Sequence, residues 1–191
     1  MENNILSLLR SKNTVFTFRD IALLWRETNV QKLKLKVHRY VKSGKLYAVR
    51  RGIYAKDKNY DPLELATRIY TPAYVSFETV LRAEGVIFQH YKTIFVASYL
   101  SREIECDGRK YNYRKLKGAV LVNPLGVIQK NNHSIASRER AFMDSLYLYK
   151  DYHFDNPYGI DWDLCFKLLA VYGSKTLERT LKSHYHNAQK P

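Results

Sequence analysis

Cysteine is scarce in this chain: of 191 residues only Cys106 and Cys165 are thiols, far apart and in unrelated contexts. That excludes a disulfide framework as the basis of the fold and suits a reducing compartment. Long hydrophobic runs are missing too. No basic start leading into an apolar run follows Met1, and no stretch approaches the roughly 18 apolar residues that a membrane-spanning helix needs. The expectation is a cytoplasmic protein with no membrane partner.

Catalytic and metal signatures are equally sparse. The histidines His38, His90, His133, His153, His184 and His186 form no zinc spacing with cysteines or carboxylates. His184 and His186 lie where a frayed tail is expected. Gly173-Ser174 opens like a nucleotidyltransferase signature, but the paired metal-binding acids that should follow are absent. Glu103, Glu105 and Asp107 with Lys110 loosely resemble a metal-dependent nuclease core, yet the carboxylate-any-lysine order is missing and hairpin charges are usually solvated. There is no phosphate-cradling glycine loop and no Gly-x-Ser-x-Gly elbow. The expectation is a protein without a cofactor and not an enzyme.

What the chain has is a core and a localised field. Hydrophobic residues make up 46%, enough to fold without a metal or disulfide staple. Net charge is +14, and residues 1–60 hold 14 Lys and Arg against 4 Asp and Glu, whereas residues 61–191 hold 18 against 14. A field concentrated in one third of the chain marks a binding face, because a merely solubilising charge would be spread evenly.

The spacing of apolar residues places a short helix over 2–11 (Ile5, Leu6, Leu8, Leu9), an extended piece at Val15, Phe16 and Thr17, and a second helix from about residue 17 (Phe18, Ile21, Ala22, Leu24, Trp25). A third helix spans 29–42. Val30, Leu33, Val37, Tyr40 and Val41 form its buried stripe, and Gln31, Lys32, Lys34, Lys36, His38, Arg39 and Lys42 occupy the opposite arc. Ser43-Gly44 stops it, and a basic hairpin over 46–56, broken at Gly52, follows. Three short helices and then a basic hairpin is the order expected of a winged helix-turn-helix. The fold class is therefore α+β, with a winged module over 1–58 and a mixed α/β domain over 59–191.

The second domain begins at Asp61-Pro62-Leu63-Glu64, which has the capping aspartate, first-turn proline and third-position glutamate of a helix start. Helices are expected over 62–70 and 76–84, the latter stopped by Gly85. Strands are expected at 93–97, at 104–106 and 110–113 around an Asp107-Gly108 turn, and at 119–123 and 127–129. Helices over 138–149, 161–172 and 174–184 close the chain. Tyr147, Tyr149, Tyr152 and Tyr158 gather near its end, suited either to an interface or to core packing.

Nucleic acid presents a dense array of phosphate charges, so a binder needs cations on one face of a rigid element, with polar side chains aimed at base edges. A helix of about 14 residues is roughly 20 Å long and fits a major groove. Gln31 suits adenine, and Lys34, His38 and Arg39 suit guanine or phosphate. Leu35 is the odd residue, apolar in the middle of the polar arc, and needs a thymine methyl or a protein partner to cover it. Lys45, Arg50 and Arg51 on the hairpin suit phosphates or an adjacent minor groove.

The run Gly44-Lys45-Leu46-Tyr47-Ala48-Val49-Arg50-Arg51-Gly52-Ile53-Tyr54-Ala55 resembles the wing of the AbiEi family of antitoxins from type IV toxin-antitoxin systems. Ala73-Tyr74-Val75-Ser76-Phe77-Glu78-Thr79-Val80-Leu81 with Gly85-Val86-Ile87 resembles the family's segment after the winged domain, and Ile135-Ala136-Ser137-Arg138-Glu139-Arg140-Ala141-Phe142-Met143-Asp144 its later capped helix. The resemblance implies an antitoxin that represses its own operon at operator repeats, as a possible homodimer, and opposes a nucleotidyltransferase-type toxin without necessarily touching it. Rival readings are a plain regulator whose C-terminal domain senses a ligand or dimerises, a nucleic-acid enzyme, and an RNA binder.

Overall fold

In the computed structural model, residues 2–189 are described. The chain runs through α1 (Glu2–Arg10), β1 (Val15–Thr17), α2 (Phe18–Trp25), α3 (Val30–Lys42), β2 (Tyr47–Arg50) and β3 (Ile53–Ala55). It continues through α4 (Pro62–Ile69), β4 (Ala73–Val75), α5 (Glu78–Ala83), β5 (Ile94–Ser98), β6 (Arg102–Cys106), β7 (Arg109–Lys115) and α6 (Gly118–Leu121). The last elements are β8 (Val127–Lys130), β9 (His133–Ala136), α7 (Arg138–Leu148), a 3-10 turn (Pro157–Gly159), α8 (Trp162–Tyr172) and α9 (Lys175–Ala188). The fold is α+β, built on two sheets.

The first sheet is antiparallel in the order β1-β3-β2, with Val15 opposite Ala55 and Tyr47 opposite the same Ala55. The second has six strands in the order β6-β7-β5-β4-β9-β8, parallel at β5/β7 and β4/β9 and antiparallel elsewhere. β5 lies deep in it, and its alternating side chains explain the layering. Phe95 and Ala97 enter a core shared with α5 to α9. Ile94 and Val96 enter a core on the opposite face with Tyr111, Tyr113, Leu65 and Ala66, and that core also contains Val15, Val49, Ile53 and Ala55 of the first sheet. The first sheet and α4 therefore cover one face of the second sheet, and the C-terminal helices cover the other.

Three expectations from the sequence need correction. Residues 119–123, expected as a strand, lie in or just beyond the short helix α6, whose Val120 and Leu121 are buried. The β-branched run is short enough to suit either state, and Arg140 fixes it by donating from Nη2 to the Val120 carbonyl at 2.7 Å. Asp61 caps α4 by accepting from Leu63 N, but Glu64 does not reach back to close a capping box. Thr14 Oγ1 instead accepts from Asp61 N at 2.9 Å, and Glu64 accepts from Thr14 N and Oγ1 at 2.8 and 2.7 Å. The C-terminal segment is not a frayed tail at His184, since α9 runs on to Ala188 and the His184 ring packs against Phe142 and Phe154. Burial pushes the His184 pKa down, with His153 adding to it.

Below α7 lies a polar core. Arg140 and Asp144, both fully buried, pair at 3.3 Å. Asp144 also accepts from the hydroxyls of Tyr74, Ser76 and Tyr172 at 2.9, 2.8 and 2.6 Å. Arg140 donates to the Leu125 and Val120 carbonyls, tying the segment before β8 and α6 to α7. Gly126 is required there: its φ is +74°, and a Cβ would stand 2.9 Å from that of Arg140.

Candidate nucleic-acid interface

The geometry of α3 begins one helix earlier. Thr17 and Asp20 make a reciprocal capping box at the start of α2, with Asp20 N donating to Thr17 Oγ1 and Thr17 N to Asp20 Oδ2. α2 ends at Arg26 in the left-handed region (φ 50°), whose N–H bonds back to the Ala22 and Leu23 carbonyls. Asn29 then caps α3, its side chain accepting from Lys32 N at 3.0 Å. Only residues 26–29 separate the two helices, so the angle between them is set by two caps and not by a flexible loop.

α3 is held from below by Leu33 and Val37, which join Ile5, Leu8, Phe16, Ile21, Trp25 and Leu46 in one apolar cluster. Trp25 meets Tyr40 edge-on at 5.5 Å and donates from its indole N–H to the Asn4 carbonyl. The far end closes with Ser43 N bonding to Arg39 O and with Gly44 at φ +70°. A helix anchored at both ends presents its outer arc rigidly.

That arc is cationic and open. Gln31, Lys32, Lys34, Leu35, His38, Arg39 and Lys42 are all exposed, and the helix contains no acidic residue. Leu35 is 58% exposed and lies one turn from Gln31, His38 and Arg39 by helical spacing. Arg39 and Lys42 in the last turn also complement the helix dipole. Lys36 is the exception among the cations. It is half-buried and pairs with Glu27 at 2.7 Å, and this hydrogen bond, reinforced by the Asn29 backbone, holds the Glu27 carboxyl below its ordinary pKa. Val30, expected in the buried stripe, is 52% exposed, because it lies in the first turn of α3, outside the cluster that buries Leu33 and Val37. With Leu23 and Leu24 of α2, also exposed, it leaves apolar surface around the interhelical turn.

The remaining expected residues are distributed more widely. Lys45 is exposed beside Ile5, Leu6 and Leu9 of α1, which line a shallow apolar depression with it. Arg50 and Arg51 are exposed at the β2–β3 turn, with Gly52 at φ +78° accepting from Phe18 N. Arg50 lies toward the second sheet: burial and Asp107 push the Cys106 thiol up, and the Arg50 charge opposes them. Lys58, outside the expected set, has its ammonium 5.8 Å from the centre of the Tyr47 ring.

The hairpin acids have other partners. Asp107, at φ 51° in the β6–β7 turn, accepts from the hydroxyls of Tyr47 and Tyr60 at 3.0 and 2.8 Å. Glu103 and Glu105 are exposed on the edge strand β6, opposite Asn112 and Lys110. Among the described residues no three His, Cys, Asp or Glu side chains converge as a metal site, and no helix is long and apolar enough to cross a membrane. Of the clustered tyrosines, Tyr147 and Tyr152 pack against the main core, and Tyr149 and Tyr158 are exposed. No protein-family model matches the chain, and no curated protein matches it.

Proposed function

We propose that the chain is a sequence-specific DNA-binding protein that reads its operator through α3, acting as a repressor of its own operon and as an antitoxin against a nucleotidyltransferase-type toxin. The observation that carries the DNA-binding part is the outer arc of α3: four exposed cations, Lys32, Lys34, Arg39 and Lys42, with no acid on the helix and no ion-pair partner among the described residues. Elsewhere a Lys or Arg left unpaired on a rigid helix is ordinary. Four on one arc, around Gln31 and His38, match the array of phosphates and base edges in a major groove. The order α1-β1-α2-α3-β2-β3 around an antiparallel sheet supports a winged helix-turn-helix over residues 1–58, with α3 as recognition helix and the β2–β3 turn as wing. The antitoxin role rests on the family resemblance of the wing and of the two later segments.

A second reading is favoured by a cleft of about 930 Å³ between Glu78, Arg114 and the segment that follows α7. Arg114 makes a bidentate pair with Glu78 at 2.7 and 2.9 Å, and its guanidinium lies 4.4 Å from the Phe95 ring centre and 5.1 Å from that of Tyr149. A plain regulator that senses a ligand would keep such a cleft.

The deciding experiment is binding of the purified protein to duplex from its own promoter, against random duplex of equal length and against RNA of matching sequence. About 4 to 6 neutralised phosphates per monomer give a log-log salt slope of roughly −4 to −5. Preference for the promoter, lost on Lys34→Ala with Arg39→Ala, is expected. Equal weak binding to both DNAs, or preference for the RNA, would overturn the reading. Co-expression with the toxin gene separates antitoxin from plain regulator.

A further inference from the structure

Beside the joint between the two sheets lies a second concentration of unpaired cations. The start of α4, α5, the approach to β5 and the β6–β7 turn enclose a cleft of about 620 Å³. Arg82, Lys92 and Arg109 line it together with His90, and all four are exposed. They come from three separate elements, so no sequence periodicity gathers them. None of Arg82, Lys92 and Arg109 has a carboxylate partner among the described residues.

The two acids in its wall do not cancel this charge. Glu78 is paired with the guanidinium of Arg114, and Asp107 is turned to the Tyr47 and Tyr60 hydroxyls. Three free cations thus face one carboxylate that lacks a cationic partner among the described residues and already accepts two hydrogen bonds. A concave, net positive surface with unused N–H donors concentrates anions, and guanidinium groups in particular match phosphate oxygens.

Its location ties it to the α3 surface. Asp107 contacts Tyr47, the first residue of β2, which follows Lys45 by two positions and carries Lys58 over its ring. Lys45 and Lys58 on the side of the first sheet and Arg109 on the side of the second therefore lie within two residues of the Tyr47–Asp107 bond or in contact with its ring, and Asp107 and Arg109 are themselves part of the cleft wall. We infer that this cleft is a second phosphate-binding site that grips the backbone of the same nucleic acid, so that the C-terminal part of the chain adds affinity without reading sequence. This rests on the DNA-binding reading of α3.

The test uses the full chain with Arg82→Ala, Lys92→Ala and Arg109→Ala combined, beside wild type and the Lys34→Ala/Arg39→Ala variant, with thermal unfolding to verify folding. On promoter duplex the cleft variant is expected to lose on the order of tenfold in affinity and to flatten the salt slope by about 2 to 3, one for each lost phosphate contact. Its ratio of promoter to random binding should stay at the wild-type value. An unchanged slope and affinity, with the α3 variant defective, would overturn the cleft and leave the α3 reading standing. Loss in the cleft variant alone would keep the cleft and overturn α3 as the reader. No duplex binding by wild type overturns both. A free phosphate ester is the other source of the same chemistry, so nucleoside monophosphate is titrated calorimetrically. Binding abolished by the three substitutions while the duplex slope is unmoved would overturn the nucleic-acid assignment.

Discussion

α3 and α7 put the same residue types to opposite uses. α3 buries only Leu33 and Val37 and turns its cations outward, whereas eight of the eleven residues of α7 are buried, Arg140 and Asp144 among them. Apart from Lys36, which is paired with Glu27, a cation on α3 keeps its hydration until a partner arrives. Arg140 has surrendered its hydration and directs its charge inside the fold, to Asp144, to Tyr74 and to two backbone carbonyls. Arg114 is intermediate, stacked between rings and paired with Glu78. The lesson is that charge count alone does not mark a binding face; what marks it is charge left without a partner on an element that cannot move.

The largest effect is expected when Arg140 is replaced. Arg140→Ala leaves Asp144 buried without its cation and orphans two carbonyls, so it should destabilise by about 3–5 kcal/mol in urea unfolding. Replacing Asp144 as well gives little relief, because the hydroxyls of Tyr74, Ser76 and Tyr172 lose their acceptor. The folded fraction should still bind duplex normally. Loss of less than about 1 kcal/mol, well under the range for a broken buried pair, would mean that Arg140 is not committed to the core in the way its bonds imply.

A smaller effect is expected where the two regions meet. Glu64 is fully buried and accepts from Thr14 N and Oγ1, and Arg68 bridges it to Asp20 of α2. Glu64→Ala leaves the half-buried Thr14 N–H and hydroxyl without their acceptor and should cost about 1–3 kcal/mol. Because Val15, Val49, Ile53 and Ala55 share a core with Ile94, Val96 and Tyr113, the loss should shift one cooperative transition monitored by both far-UV and aromatic signals. Two separated transitions would mean that the regions unfold independently.

Local chemistry made much of this legible in the sequence. The caps at Asp61 and Ser137, the stop at Ser43-Gly44 and the Asp107-Gly108 turn all act within a few residues, and each helix of the N-terminal region lies within one or two residues of its expected span. Long-range effects stayed hidden. β4 and β9 were not expected as strands, since each has only three or four residues, and β4 lies between β5 and β9 with no exposed face to impose alternation. Glu64 reads as a capping residue until Thr14, 50 positions earlier, is found beside it. The arc of α3 was legible because helical spacing alone builds it. Neither the cleft at Arg82, Lys92 and Arg109 nor the Glu27–Lys36 pair follows from spacing.

That last pair gives the smallest and most specific test. Glu27 is held below its ordinary value near 4.5 first by the Lys36 hydrogen bond and then by the Asn29 backbone. A carboxyl with a depressed folded pKa contributes stability that is present above the unfolded value and fades as pH falls through the folded one. The fading window therefore lies below about pH 4.5, and the contribution is slight because the pair is solvent-screened. Lys36→Ala should move the Glu27 carboxyl upward in an NMR titration and should weaken duplex binding less than Lys34→Ala, whose charge has no partner to lose. If Lys36→Ala instead weakened binding as much as Lys34→Ala and left Glu27 unmoved, Lys36 would be free in solution and belong to the arc as its spacing suggests.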